Sequence, residues 1–166
     1  MQKILKSERK IRFQDCDPFN HLNNAKYLEY FLNAREDQLL EHYDLSVFDH
    51  VKTFGKSWLV ASNQISYLKP ATVMETVVVE SELIHYTNKQ LLVEMKMWDK
   101  NEIELKAILW IKFLYIDINS KKISLHPDNF MNLFESVLMP FNGEFFEERC
   151  ATIVKNIRAL NKLSLP

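Results

Sequence analysis

RFQDCDPFNHLNNAKYLEYF, residues 12–31, sets two aspartates, one histidine and three asparagines ahead of an aromatic and apolar run. From there Tyr27, Leu28, Phe31, Ala34, Gln38 and Leu39 recur at three- and four-residue steps, with Glu29, Arg35, Glu36 and Glu41 mostly elsewhere. That spacing predicts a long helix from Asn24 to His42 with one wide buried face. Asn23 or Asn24 suits its N-cap, because an amide oxygen there accepts from a backbone N–H of the first turn that has no helical partner. Polar residues crowded before a helix either cap it or build a reaction centre on its free N–H groups.

After residue 57 the period changes. In SWLVASNQISYL, Leu59, Ala61, Ile65 and Tyr67 alternate with more polar neighbours, a strand ended by Lys69-Pro70. ETVVVESELIHY, QLLVEMKMW and EIELKAILWIKFLYID follow, divided by the polar turns Thr87-Asn88-Lys89 and Asp99-Lys100-Asn101. Consecutive strands with tight turns predict an antiparallel meander, so the fold class is α+β. In the last strand Ile103, Leu105, Ala107, Leu109, Ile111, Phe113 and Tyr115 share a face, which the long helix is expected to cover. The other face mixes Ile108, Trp110 and Leu114 with Lys106 and Lys112, as if a second sheet or another subunit packed there.

Composition narrows the chemistry. The chain has 166 residues, enough for one domain, and 21 lysines and arginines against 22 acidic residues, so no bulk positive charge suits nucleic acid or an anionic membrane. Only Gly55 and Gly143 are glycines, which rules out GxGxxG and GxxxxGK phosphate loops. The five histidines are scattered and Cys16 and Cys150 stand alone, so neither a metal site nor a structural disulfide is expected. The N-terminal segment lacks the apolar stretch of a signal peptide and no span is long enough to cross a bilayer, so a cytoplasmic location is expected.

Beyond Pro127, NFMNLFESVLM reads as a short helix closed by Pro140, and EFFEERCATIVKNIRALNKL as another, with Phe146, Cys150, Ile153, Ile157 and Leu160 on one stripe. Such stripes are usually core, so residues 126–166 are read as a helical extension packed on the domain formed by residues 1–125; a lid or a dimer-spanning arm is the other reading.

A short N-terminal strand, one long helix and antiparallel strands wrapping it follow the order of the hotdog fold. Phe13-Gln14-Asp15-Cys16-Asp17-Pro18, then His21-Leu22-Asn23-Asn24 with Tyr27, Tyr30 and Phe31, resembles the 4-hydroxybenzoyl-CoA thioesterase-like family of acyl-CoA thioesterases. Ile65–Ala71 and Phe113–Asp117 are similar to that family's second-strand end and final strand. The resemblance spans about residues 5–118. Where the family commonly has a turn glycine, this chain has Pro18-Phe19-Asn20, and asparagine best replaces glycine in a left-handed turn. Asp-Cys-Asp-Pro is similar to the aromatic-CoA branch and His-Leu-Asn-Asn to fatty-acyl branches, so the acyl group is left open.

The resemblance implies thioester hydrolysis with coenzyme A as part of the substrate, no other cofactor or metal, and a homodimer or homotetramer. It makes Asp17 the base or nucleophile, where residue chemistry alone also allows a turn cap. Asn24 would offer a backbone N–H to the oxyanion, and His21 either assists Asp17 or is structural. Asn23, Tyr27, Trp58, Asn63, Gln64 and Tyr67 are the substrate-binding candidates, with core packing the alternative for the aromatic ones. Asp15 is expected to face solvent or to bond the backbone. An acyl-carrier-protein thioesterase, an enoyl-thioester hydratase and a non-catalytic acyl-CoA-binding module are the competing functions.

Overall fold

Valine, isoleucine and aromatic side chains alternate through the middle of the chain and pair there as a six-stranded antiparallel sheet. The computed structural model describes residues 1–141 and 145–163, with side chains up to residue 159. Strands β1 (Ile4–Lys10), β2 (Lys56–Tyr67), β3 (Thr76–Tyr86), β4 (Gln90–Asp99) and β5 (Leu105–Asp117) run in the order β1-β3-β4-β5-β2, and the short β6 (Lys122–Ile123) pairs β5. Helix α1 (Tyr27–Tyr43) lies on the inner face, burying Tyr27, Phe31 and Ala34 against Val79, Met95, Leu109 and Ile111. This is the hotdog fold, a helix wrapped by a curled sheet.

Helix α1 starts later than the sequence suggests. Its first residue is Tyr27, and Lys26 precedes it without a side-chain cap. The Asn23 amide oxygen instead accepts from Ala25 N at 2.9 Å, making an extra turn before the helix proper. Asp44, left-handed at φ 52°, ends α1 and leads to α2 (Val47–Phe54), which Ser46 caps by accepting from Asp49 N. Arg35 departs from its expected exposed place and is buried with Gln38 on the core side, four residues after Phe31.

Three irregularities reset which side chains face the core, one of them at Ile84 in β3, beyond which Tyr86 follows Leu83 on the inner side. A bulge at Ala61 in β2 shifts the alternation by one, so Trp58 and Val60 share the inner face with Asn63, Ile65 and Tyr67, while Leu59 points outward and is exposed. A further break, where β4 passes from Met97 to Trp98, puts Leu105 on the outer face with Ile108 and Trp110; Ile103 lies before β5 and is exposed. Bulges add one residue to a strand and so reverse the two-residue pattern beyond them.

Helix α3 (Asp128–Val137) closes the inner core with Phe130, Phe134 and Val137. The outer face is covered by this chain's own α4 (Phe146–Leu163), not by a second sheet: Phe146, Cys150 and Ile153 pack on Ile84, Ile108 and Trp110, while Leu160 falls outside the described side chains. Charge is buried under α4 as well. Lys96 meets Glu80, Glu82 and Glu94 at 2.9, 2.6 and 3.1 Å, and Glu94 takes both arms of Arg149 at 2.9 Å and the Trp110 N–H at 2.8 Å. Burial alone would raise the Glu94 carboxyl, but these donors outweigh it and pull it down to about 2.

Candidate active site

The segment before α1 is a small antiparallel hairpin. Cys16 bridges Leu22, Asp17 N donates to His21 O at 2.8 Å, and Asn23 N donates to Asp15 O at 2.9 Å. Asn20 turns the tip with φ 61°, the left-handed bend that its amide side chain tolerates. Half-buried Asp17 stabilises this tip through one oxygen, Oδ1, which accepts from Phe19 N at 2.9 Å and His21 N at 3.1 Å. Among the described residues no hydrogen bond reaches its other oxygen, so Oδ2 is free for a water or a substrate.

Asp15 has a different task and, contrary to expectation, turns to the helix. Its carboxylate accepts from the Tyr30 hydroxyl at 2.8 Å, and that hydroxyl accepts from Arg12 N at 2.9 Å. Together these bonds fasten the hairpin onto α1.

Between hairpin and helix the backbone donors are almost all used. Asn23 N goes to Asp15 O, Ala25 N to the Asn23 side chain, and Lys26 N to Asn23 O. Asn24 N–H alone among these four has no acceptor among the described residues. It sits one turn before the positive end of the α1 dipole, on an exposed residue whose carbonyl accepts the Tyr67 hydroxyl at 3.0 Å. Asp17 is two residues further along the hairpin than the Asp15–Asn23 pair, about 7 Å at the rise of an extended strand. A free carboxylate oxygen and a free N–H on the same hairpin are the two kinds of group that thioester hydrolysis calls for, a base and an oxyanion donor.

From Tyr67 the inner face of β2 leads past Ile65 and Asn63 to Val60 and Trp58. There α1, α3 and the sheet enclose an apolar cavity of about 280 Å³, bordered by Leu39, Val60, Val93, Phe113, Leu133 and Phe134. Trp58 also lines it and donates its N–H to His126 Nε2 at 3.1 Å. Burial holds the His126 imidazole below its usual range, in keeping with that acceptor role.

A family profile described as the thioesterase-like superfamily matches residues 11–134. The chain belongs to the thioesterase-like superfamily. It is a thioester hydrolase of that superfamily. The long-chain acyl-CoA thioesterase FadM of Escherichia coli (strain K12) is 27% identical over 118 residues, covering 71% of this chain and 87% of FadM. Among solved structures, a Staphylococcus aureus protein in complex with CoA superposes with a TM-score of 0.74 at 14% identity, over 87% of this chain and 92% of its own. The DHNA-CoA thioesterase of Staphylococcus aureus superposes with a TM-score of 0.72 at 17% identity, over 98% of this chain and 96% of its own. These structural likenesses speak for the fold.

In this thioesterase-like chain the predicted residues form two groups. Asp17, His21, Asn23, Asn24 and Tyr67 gather at the hairpin and the start of α1. His21 is fixed there by its backbone, and its imidazole has no hydrogen bond among the described residues. Tyr27 is buried, its hydroxyl accepts from Ala71 N at 3.1 Å, and its ring packs edge-on against Tyr67, so it supports the site from within the core. Trp58 is at the cavity and Asn63 between cavity and hairpin, while Gln64 pairs with Trp110 on the outward side of β2 and faces away. Sequence reasoning missed Arg35, which borders the cavity; its position four residues after Phe31 and four before Leu39 was the available signal. Among the described residues no cluster of three metal-binding side chains occurs, and no helix is long and apolar enough to cross a membrane.

Proposed function

We propose that the chain hydrolyses acyl-CoA to a free acid and coenzyme A, without metal or organic cofactor, as a cytoplasmic homodimer or dimer of dimers. The observation that carries this reading is the pairing of Asp17 Oδ2 and Asn24 N–H, both unengaged among the described residues, on one hairpin of a thioesterase-like chain. The CoA-containing names of FadM and of the two staphylococcal structures support the choice of thioester.

In the proposed reaction, Asp17 takes a proton from water as the water oxygen bonds to the thioester carbon. The carbonyl oxygen becomes an oxyanion and accepts from Asn24 N–H. The C–S bond then breaks, the electron pair leaves on sulfur, and the thiolate takes up a proton as CoA. A donor of this kind is worth about 3 kcal/mol of barrier. Tyr67, holding the Asn24 carbonyl, keeps the donor aimed.

The test is a panel of acyl-CoAs of graded length followed by colorimetric detection of free thiol. Turnover of at least one member supports the reading. Stoichiometric binding without thiol release identifies a binding module, and turnover confined to acyl carrier protein identifies a carrier-protein hydrolase; either outcome replaces it.

A further inference from the structure

Of the buried ionised side chains among the described residues, Glu80, Glu82, Glu94, Lys96 and Lys106 each have an ion-pair partner. Arg35, only 9% exposed, has none. Its Nη1 donates to Ser81 Oγ at 2.9 Å. Ser81 in turn donates to Gln38 Oε1 at 2.6 Å, and Gln38 Nε2 donates to Val79 O and Ser7 Oγ, each at 2.9 Å. The guanidinium is therefore held rigidly from behind, while its remaining donors have no acceptor among the described residues and the residue borders the cavity. Burial lowers its pKa only to about 10, so it carries its charge at neutral pH. Glu36 also borders the cavity but is exposed and forms no ion pair with Arg35. The free donors open toward the chamber rather than being sealed in the core, so an anionic ligand there would supply the counter-charge that the protein does not.

The chamber lies along α1 from the proposed reaction centre. Leu32, Arg35, Leu39 and Tyr43 border it at helical spacing, and Leu28 continues the same line to the first turn of α1, just after Asn24. β2 runs alongside it, with Tyr67 on Asn24 at one end and Val60 at the cavity at the other. Arg35 follows Tyr27, the first residue of α1, by eight residues, about 12 Å at the helical rise, Asn24 precedes Tyr27 by one turn, and the Arg35 side chain leans back toward the helix start. An extended chain gains about 1.2 Å per bond, so roughly ten to thirteen bonds cover the distance.

We propose that Arg35 binds a carboxylate at the far end of the acyl chain, so that the preferred substrates are mono-thioesters of medium-length dicarboxylic acids. This rests on the hydrolase reading above. The planar fork suits a carboxylate geometrically, and a plain methyl terminus would leave it unpaired.

The test compares kcat/KM for decanoyl-CoA and the mono-CoA thioester of decanedioic acid, in wild type and Arg35→Met. The expected result is a preference of at least about tenfold for the dicarboxylic thioester, abolished in Arg35→Met. A wild type that favours decanoyl-CoA or shows no preference overturns the proposal, as does a preference that survives in Arg35→Met. Replacing a buried charge by an apolar side chain of similar size is often well tolerated, and a thermal melt checks this; if the variant does not fold, the wild-type ratio decides. If no thioester is turned over, calorimetric titration with decanedioate and decanoate separates the two claims. Dicarboxylate-selective binding then supports the Arg35 site and overturns only the hydrolase reading, whereas unselective or absent binding overturns the Arg35 site too.

Discussion

Asp15 and Asp17 stand two residues apart and do opposite things. Asp15 spends its carboxylate on Tyr30 and so fastens the hairpin to the helix, while Asp17 uses one oxygen for the turn and keeps the other free. In the proposed reaction the neighbouring Tyr67 has a positioning task, because its hydroxyl donates to the carbonyl of Asn24, the residue proposed to offer its N–H to the oxyanion. Tyr67→Phe is expected to lower kcat about tenfold with KM little changed, readable in steady-state thiol release; equal kcat in both proteins would remove Tyr67 from the account. The turn at the hairpin was legible, because asparagine is the residue that best replaces glycine in a left-handed bend and Asn20 takes it. Arg35 was not, because periodicity treats any charged residue as surface, and only the Ser81–Gln38 bonds across to β3 and β1 show why this one turns inward.

At the scale of elements, the antiparallel meander and the long helix followed directly from alternation and from three-and-four spacing. The faces of β2 and β5 did not, since the breaks at Ala61 and Lys106 depend on pairing register and carry no mark in the sequence. Helix α4 shows the same limit: its stripe was plain, but what it covers depends on tertiary packing. Its Arg149 makes acid sensitivity a property of this contact. Glu94 titrates near 2 in the folded chain, against about 4.3 when unfolded, so its contribution is fully present above about 4.3 and disappears as pH falls toward 2. Urea midpoints measured from pH 6 to pH 2.5 are expected to fall most steeply below about 4.3, and Glu94→Gln to flatten that part of the profile at a lower starting stability. A variant profile parallel to wild type would show that Glu94 is not the group responsible.

For the molecule as a whole, the sheet order leaves the outer edge of β2 without a partner strand among the described residues, with Leu59 and residues 61–64 exposed along it. An open edge of this length is a template for another strand. The proposed homodimer closes it, and Asn63 lies on the inner face there. Sedimentation equilibrium at micromolar concentration is expected to give at least twice the chain mass, and a monomer would contradict the dimer. The central claim is that Asp17 activates the attacking water beside Asn24 N–H. Its most direct test is thiol release from the best acyl-CoA by wild type and Asp17→Asn, with circular dichroism melts run in parallel. The asparagine keeps an oxygen for the Phe19 and His21 N–H groups, so the turn and the melt should be preserved while kcat/KM falls by about a thousandfold or more. Full thiol release by a normally folded Asp17→Asn would contradict the account.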